Sequence, residues 1–187
     1  SFFVATELAF YYQLTAFFFE KGLGIAAAWV MPAMTIGQIA EVLLLFLLPF
    51  SLKYFGMRTT IAIGIAAWPI RYLIFAIGRP LPLVIASQSL HGICYAFFFV
   101  AGQVYANEVA QGDIRASAQS LLVFVTQGAG MFLGNLFAGW AQAFFHNDFH
   151  RIFLVPVAIT AACCLAFLIG FSERLRRAHL AAQPAPA

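Results

Sequence analysis

The sequence predicts an all-α protein that crosses a membrane several times, and three observations carry that expectation. Hydrophobic residues make up 63% of the 187 positions and charged residues only 9%, against roughly 25% charged in soluble domains. The apolar residues gather into six runs, each close to the about 20 residues that a bilayer crossing needs. The connections between runs are short, which makes consecutive helices antiparallel neighbours.

The runs lie at about 1–19, 29–50, 59–77, 81–106, 114–144 and 152–171. Together, 1–171 reads as one six-helix transmembrane unit. Residues 172–187 read as a basic cytoplasmic turn followed by a disordered Ala/Pro tail. The formal net charge is +3, and no basic run interleaved with exposed polar residues points to a nucleic-acid partner. Orientation follows from the excess of Lys and Arg in cytoplasmic loops. If the first span runs outward, the inner side carries Lys53, Arg58, Arg115, Arg174, Arg176 and Arg177, and the outer side Lys21, Arg79 and Arg151. Both ends of the chain are then cytoplasmic. The chain opens with Ser1-Phe2-Phe3 already inside a span, with no initiating Met or charged leader, so the expectation is a fragment of a longer chain.

The first span carries Glu7 twelve residues before Phe19, or roughly 18 Å of helix. That depth lies within the hydrocarbon, unless the span begins near the inner headgroups. A charge near the bilayer centre costs about 2.5 kcal/mol or more, so such residues usually carry function. In the second span Thr35, Gln38 and Glu41 follow at steps of three and share one face. Glu41 sits near mid-span, where desolvation disfavours the charged form of a carboxylate. Glu41 is therefore a candidate proton carrier, or else a buried acid held by an arginine or hydroxyl.

Gly56, in a tight turn after the second span, is the residue expected at positive φ. The third span carries Pro69 and Arg71. Arg71 stands six residues from the outer end at Ile77, which leaves two readings open. It either snorkels to the interface as an anchor or partners Glu41 or a substrate oxygen.

In the fourth span Gln88, His91, Tyr95, Phe98, Gly102 and Tyr105 recur at steps of three and four, the spacing of one helix face. A polar and aromatic stripe on an apolar helix should turn away from lipid, so it reads as the wall of a polar cavity. His91 suits a proton relay or a hydrogen-bonded packing role. Tyr95 and Phe98, with Phe99, suit stacking on a flat ring, and Gln103 suits hydrogen bonding to a polar substrate. Asp113 is placed to cap the fifth helix, which carries Gln119, Thr126, Gln127 and Asn135. Gly130, Gly134 and Ala138 repeat at four-residue spacing, which lets helix backbones approach closely.

The sixth span has no charge and reads as peripheral. Cys94, Cys163 and Cys164 lie in apolar runs without metal-ligand or CxxC spacing and read as packing residues. His146 and His150 lack a third ligand. No metal, cofactor or catalytic constellation is expected, so the chain does not read as an enzyme.

The segments Gly37-Gln-Ile-Ala-Glu41, Arg71-Tyr72, His91-Gly-Ile-Cys-Tyr95 and Asp113-Ile-Arg-Ala-Ser-Ala-Gln119 together resemble the C-terminal half of a major facilitator superfamily transporter. The pattern is most similar to the nucleoside:proton symporter family. That resemblance implies spans seven to twelve of a twelve-helix fold, with substrate and coupling sites near the bilayer midplane between the halves. It also implies an upstream six-helix half as partner, protons and a small polar substrate such as a nucleoside as cargo, and the bacterial inner membrane as location. By resemblance, Glu41, Arg71 and His91 fall on motif positions and Glu7 joins them as a coupling candidate. Gln38, Tyr95, Phe98, Gln103 and Gln119 are the expected substrate contacts. The position after Tyr95 is Ala96, where the family commonly has an acid. A sugar or cell-wall-fragment cargo, or a non-transporting sensor or structural role, therefore stays open.

Overall fold

The computed structural model describes residues 1–110 and 112–171, so the 172–187 turn and tail lie outside the described residues. The long apolar helices are α1 (Phe2–Gly22), α4 (Leu81–Val109), α5 (Arg115–Phe144) and α6 (Phe149–Gly170), together with the helical run Ala27–Ile77. Gly56 breaks that run into α2 (27–55) and α3 (57–77), with φ 79° and ψ 168°. An L side chain is strained in that backbone region, so the expected glycine turn is there for a physical reason.

Small residues set the spacing between helices. A Cβ built on Gly134 would lie 2.5 Å from Thr6 O, and one on Gly130 2.8 Å from Ala5 Cβ. The glycine repeat of α5 therefore seats it directly against α1. A Cβ on Gly92 would stand 2.5 Å from both Ala40 C and Glu41 N, and one on Gly64 2.6 Å from Phe97 C. These two glycines draw α4 against α2 and α3.

One face of α6 packs against α3, while Leu165, Leu168 and Ile169 stay exposed, as in a peripheral helix. Arg58 of α3 donates to Leu168 O at 2.6 Å, and at the other end His150 Nδ1 donates to Ala76 O at 2.9 Å. Between them Phe153 stacks on Tyr72 with centroids 5.9 Å apart. Thus α6 lies along the whole of α3, and Ile152, Phe153 and Thr160 are buried there.

Capping also departs from expectation. The fifth helix begins at Arg115 with Ile114 as N-cap and no side-chain cap bond. This leaves Asp113 one position too early to reach the free N–H groups. Asp148 caps instead, accepting from Arg151 N at 3.4 Å at the start of α6.

Among the described residues three helices contain a wider π turn, at Phe18–Gly22, Tyr95–Val100 and Phe124–Gly130. Each π turn inserts residues into the helical count and rotates the downstream side chains by about 100° per added residue. The one in α4 decides how the site is arranged.

Candidate functional site

Arg71, His91 and Glu41 form a line across α3, α4 and α2. Arg71 is fully buried, which overturns the reading of it as an interface anchor. Its guanidinium lies over the rings of Tyr11, Trp68 and Tyr72 at 4.5, 4.8 and 5.0 Å. These aromatic faces hold a desolvated cation, which snorkelling would forgo. Arg71 Nη1 donates to His91 Nδ1 at 2.9 Å. Arginine has no acceptor, so Nδ1 must be the bare nitrogen of a neutral imidazole and Nε2 carries the hydrogen. Nε2 is the atom that faces Glu41 Oε2, at 3.8 Å. That gap is too long for a hydrogen bond and short enough for a proton-linked approach of the two groups.

Local packing places these groups. Gly92, next to His91, brings the α4 backbone against Ala40 and Glu41. Gly37 does the reciprocal on α2, where a Cβ would meet Gln88 O at 3.1 Å and His91 Cβ at 3.2 Å. Tyr11 of α1 stacks on the His91 ring at 4.4 Å and 20°, and Tyr12 meets it edge-on at 6.3 Å. Sequence reasoning places both glycines in motif segments but gives neither a packing role, and it does not foresee the stacking of Tyr11. The available signal is a glycine one helical turn before Glu41 and another beside His91.

Around this line the described residues divide into a sealed side and an open side. Gln88 and His91 are buried, while Glu41 keeps 23% of its side chain exposed. Tyr12, Gln13, Thr35 and Gln38 are exposed, and Tyr95, half-buried, sits 6.3 Å from His91. This is an open polar face running from α1 to α2. On α5, Gln127 and Asn135 are exposed too.

Phe98 and Gln103 do not share that face. They line a separate cavity of about 510 Å³ bounded by α3, α4, α5 and α6. The reason is the π turn at Tyr95–Val100: spacing of three and four marks one face only where the helix is α throughout, and the wider turn re-aims everything after Tyr95. Gln119 is likewise taken up structurally, its amide donating to Gln103 O at 2.8 Å and tying α5 to α4. Glu7 is fully buried on α1. Its Oε1 accepts from the Thr6 hydroxyl at 3.2 Å and its backbone carbonyl from the Tyr72 hydroxyl, and it makes no ion pair among the described residues. Nor does any cluster of His, Cys, Asp or Glu among the described residues have the composition to hold a metal.

The family described as nucleoside H+ symporter matches residues 1–176. The chain is 29% identical over 168 residues to the nucleoside permease NupG of Escherichia coli K12, covering 83% of this chain and 40% of that protein. It is 31% identical over 146 residues to the xanthosine permease of the same organism, covering 74% and 35%. The crystal structure of the nucleoside transporter NupG superposes with a TM-score of 0.77 at 25% identity, covering 91% of this chain and 47% of that one. A D323A mutant of NupG superposes at 0.78. The chain thus spans less than half the length of these relatives. It belongs to the nucleoside H+ symporter family.

Proposed function

We propose that this chain forms the six-helix half of a proton-coupled transporter that takes up nucleosides across the cytoplasmic membrane, with Glu41 as the proton carrier. Family membership supports the transport class, and the names of the relatives, nucleoside and xanthosine permeases, support the cargo. The relatives are permeases, which favours transport over enzymatic chemistry. The distribution of Lys and Arg supports an orientation with both ends on the cytoplasmic side.

The observation that carries the coupling assignment is the direction of the Arg71–His91–Glu41 line. With Nδ1 engaged by a permanent cation, His91 offers only its Nε2–H, and it offers that toward Glu41. A second proton on His91 would require the Arg71 contact to break, so Glu41 is the member of the line free to gain and lose one. An ionised Glu41 is drawn toward His91 and the Arg71 charge behind it, and a protonated Glu41 is released from that pull. Because Glu41 borders the open polar face, the same carboxyl can meet substrate hydroxyls, linking protonation to occupancy. Gln38 supplies amide donors and acceptors one turn away, and Tyr95 a ring for a flat base. The opposite wall belongs to a second six-helix half, whose rocking against this one would alternate access.

The test is uptake of labelled uridine and adenosine by the intact transporter in vesicles, with and without an imposed inward proton gradient. Gradient-stimulated accumulation is the expected result. Absence of uptake for both would overturn the nucleoside assignment while leaving the family membership intact.

A further inference from the structure

We propose that the end of the bundle carrying Arg58 and Arg115 holds an anionic phospholipid. Its acyl chain would enter the cavity of about 510 Å³, with its phosphate at the two arginines. The volume falls within the about 300–1,000 Å³ of small-ligand pockets, but the walls suit a hydrocarbon. Phe98, Phe99, Val109, Leu122 and Phe167 supply apolar surface. The Thr126 hydroxyl is turned onto Leu122 O at 2.7 Å, and the backbone carbonyl of Gln103 accepts from the Gln119 amide. Most of the lining is apolar, which suits an acyl chain better than a nucleoside. Neither Glu41 nor Tyr95 lines it.

The rim supplies the complementary charge. Ala110 and Ile114, in the link between α4 and α5, and Phe171, just past α6, line the cavity, so it opens at the helix ends, where headgroups lie. Arg115 follows Ile114 directly and holds Ala110 O through Nε at 3.4 Å, with its terminal nitrogens unengaged among the described residues. Arg58 stands one turn before the lining residue Ile61. It spans to Leu168 O through Nη2, beside Phe167, and its Nη1 is unengaged among the described residues. Both arginines are exposed. Lys53 shares this end, against Glu108 and Asp113. A basic pocket between helices at the membrane surface is the arrangement that captures anionic lipid headgroups, and a planar guanidinium fork pairs with phosphate.

The intact transporter is equilibrated with equal amounts of palmitoyl-oleoyl phosphatidylglycerol and phosphatidylcholine, and retained lipid is read by native mass spectrometry. Wild type should retain phosphatidylglycerol preferentially. Arg58→Gln with Arg115→Gln should lower that preference by about thirtyfold, near fivefold per arginine. Ala106→Phe, which fills the cavity, should lose retention of both lipids while uridine uptake persists; Ala106→Leu serves if the larger side chain impairs folding. Equal retention of the two lipids by wild type would overturn the proposal. So would undiminished retention in the filled variant, or retention of inorganic phosphate in place of lipid.

Discussion

Glu41 and Glu7 are both carboxylates set in apolar helices, yet their surroundings have little in common. Glu41 is partly exposed, faces the Nε2 of His91 across 3.8 Å and borders the open polar face. Glu7 is fully buried, and among the described residues its side chain accepts one hydrogen bond, from the hydroxyl of the residue before it. The cost of placing an acid in a membrane is similar for both, so that cost alone does not mark a coupling group. A coupling acid needs access to protons or substrate and a charge that answers its own. Glu41 has both, and Glu7 has neither in the described structure.

The largest expected effect tests this contrast directly. Glu41→Gln removes the titratable group but keeps its size and hydrogen bonding. Loss of a positioned proton-transfer group typically costs about a hundredfold or more. Gradient-driven nucleoside accumulation should therefore fall to the level of empty vesicles, with exchange down a substrate gradient persisting. Unchanged accumulation would move the coupling role away from Glu41.

Arg71 should come next. Arg71→Lys preserves the charge but loses the planar face stacked against Tyr11, Trp68 and Tyr72, and lysine does not replace a stacked guanidinium. A desolvated cation–π contact is worth about 2 kcal/mol, so uptake should drop by about thirtyfold. His91→Gln in the same assay separates the roles: a smaller loss than in Glu41→Gln would mark His91 as a positioning residue. Measured as kcat against KM, the Arg71 and His91 variants should lower kcat with the substrate KM little moved.

Gly92 tests the scaffold behind the site. In Gly92→Ala the new methyl would stand 2.5 Å from the Ala40 and Glu41 backbone, which cannot swing aside as a side chain can. Overpacking of this kind costs about 1–3 kcal/mol, and it would push α2 away from α4 at the level of Glu41. Both thermal stability and uptake should fall. Gly139→Ala is the control, since a Cβ there meets nothing closer than Gln13 Nε2 at 3.6 Å, and it should change neither.

Much of the architecture was legible because composition and spacing reflect rules that hold along a whole helix. The apolar runs mark the helices, Gly56 marks the turn between α2 and α3, and the Gly130–Gly134 repeat marks a close helix contact, here with α1. Glu41, Arg71 and His91 could each be picked out as polar groups in apolar runs, but their alignment depends on contacts between three helices. The split between Tyr95 and Phe98 was not legible, because a π turn leaves no change in residue type to read. Spacing of three and four looks the same whether or not the helix widens, and only the backbone hydrogen bonds reveal it. Arg71 was ambiguous for a related reason: distance from a helix end permits snorkelling, while the rings of Tyr11 and Trp68 on neighbouring positions and helices remove the need for it.

The smallest expected effect is at Glu7, and it bears most closely on why the two carboxylates differ. Glu7→Gln keeps an oxygen that accepts from the Thr6 hydroxyl, and it leaves the backbone carbonyl that Tyr72 donates to unchanged. Only the charge-bearing capacity is lost. If Glu7 serves packing, stability should change by less than about 1 kcal/mol, the net worth of one hydrogen bond, and gradient-driven uptake should match wild type. Glu7→Leu goes further by leaving the Thr6 hydroxyl to its bond with Phe3 O at 2.6 Å alone, and it should still transport. Thermal unfolding and the same vesicle assay check both variants. A Glu7→Gln protein that folds normally yet no longer accumulates substrate would mean that this sealed carboxyl exchanges protons during the cycle. The wall formed by α1 and α3 would then have to open in a second conformation, with Tyr72 releasing the Glu7 carbonyl as it does so.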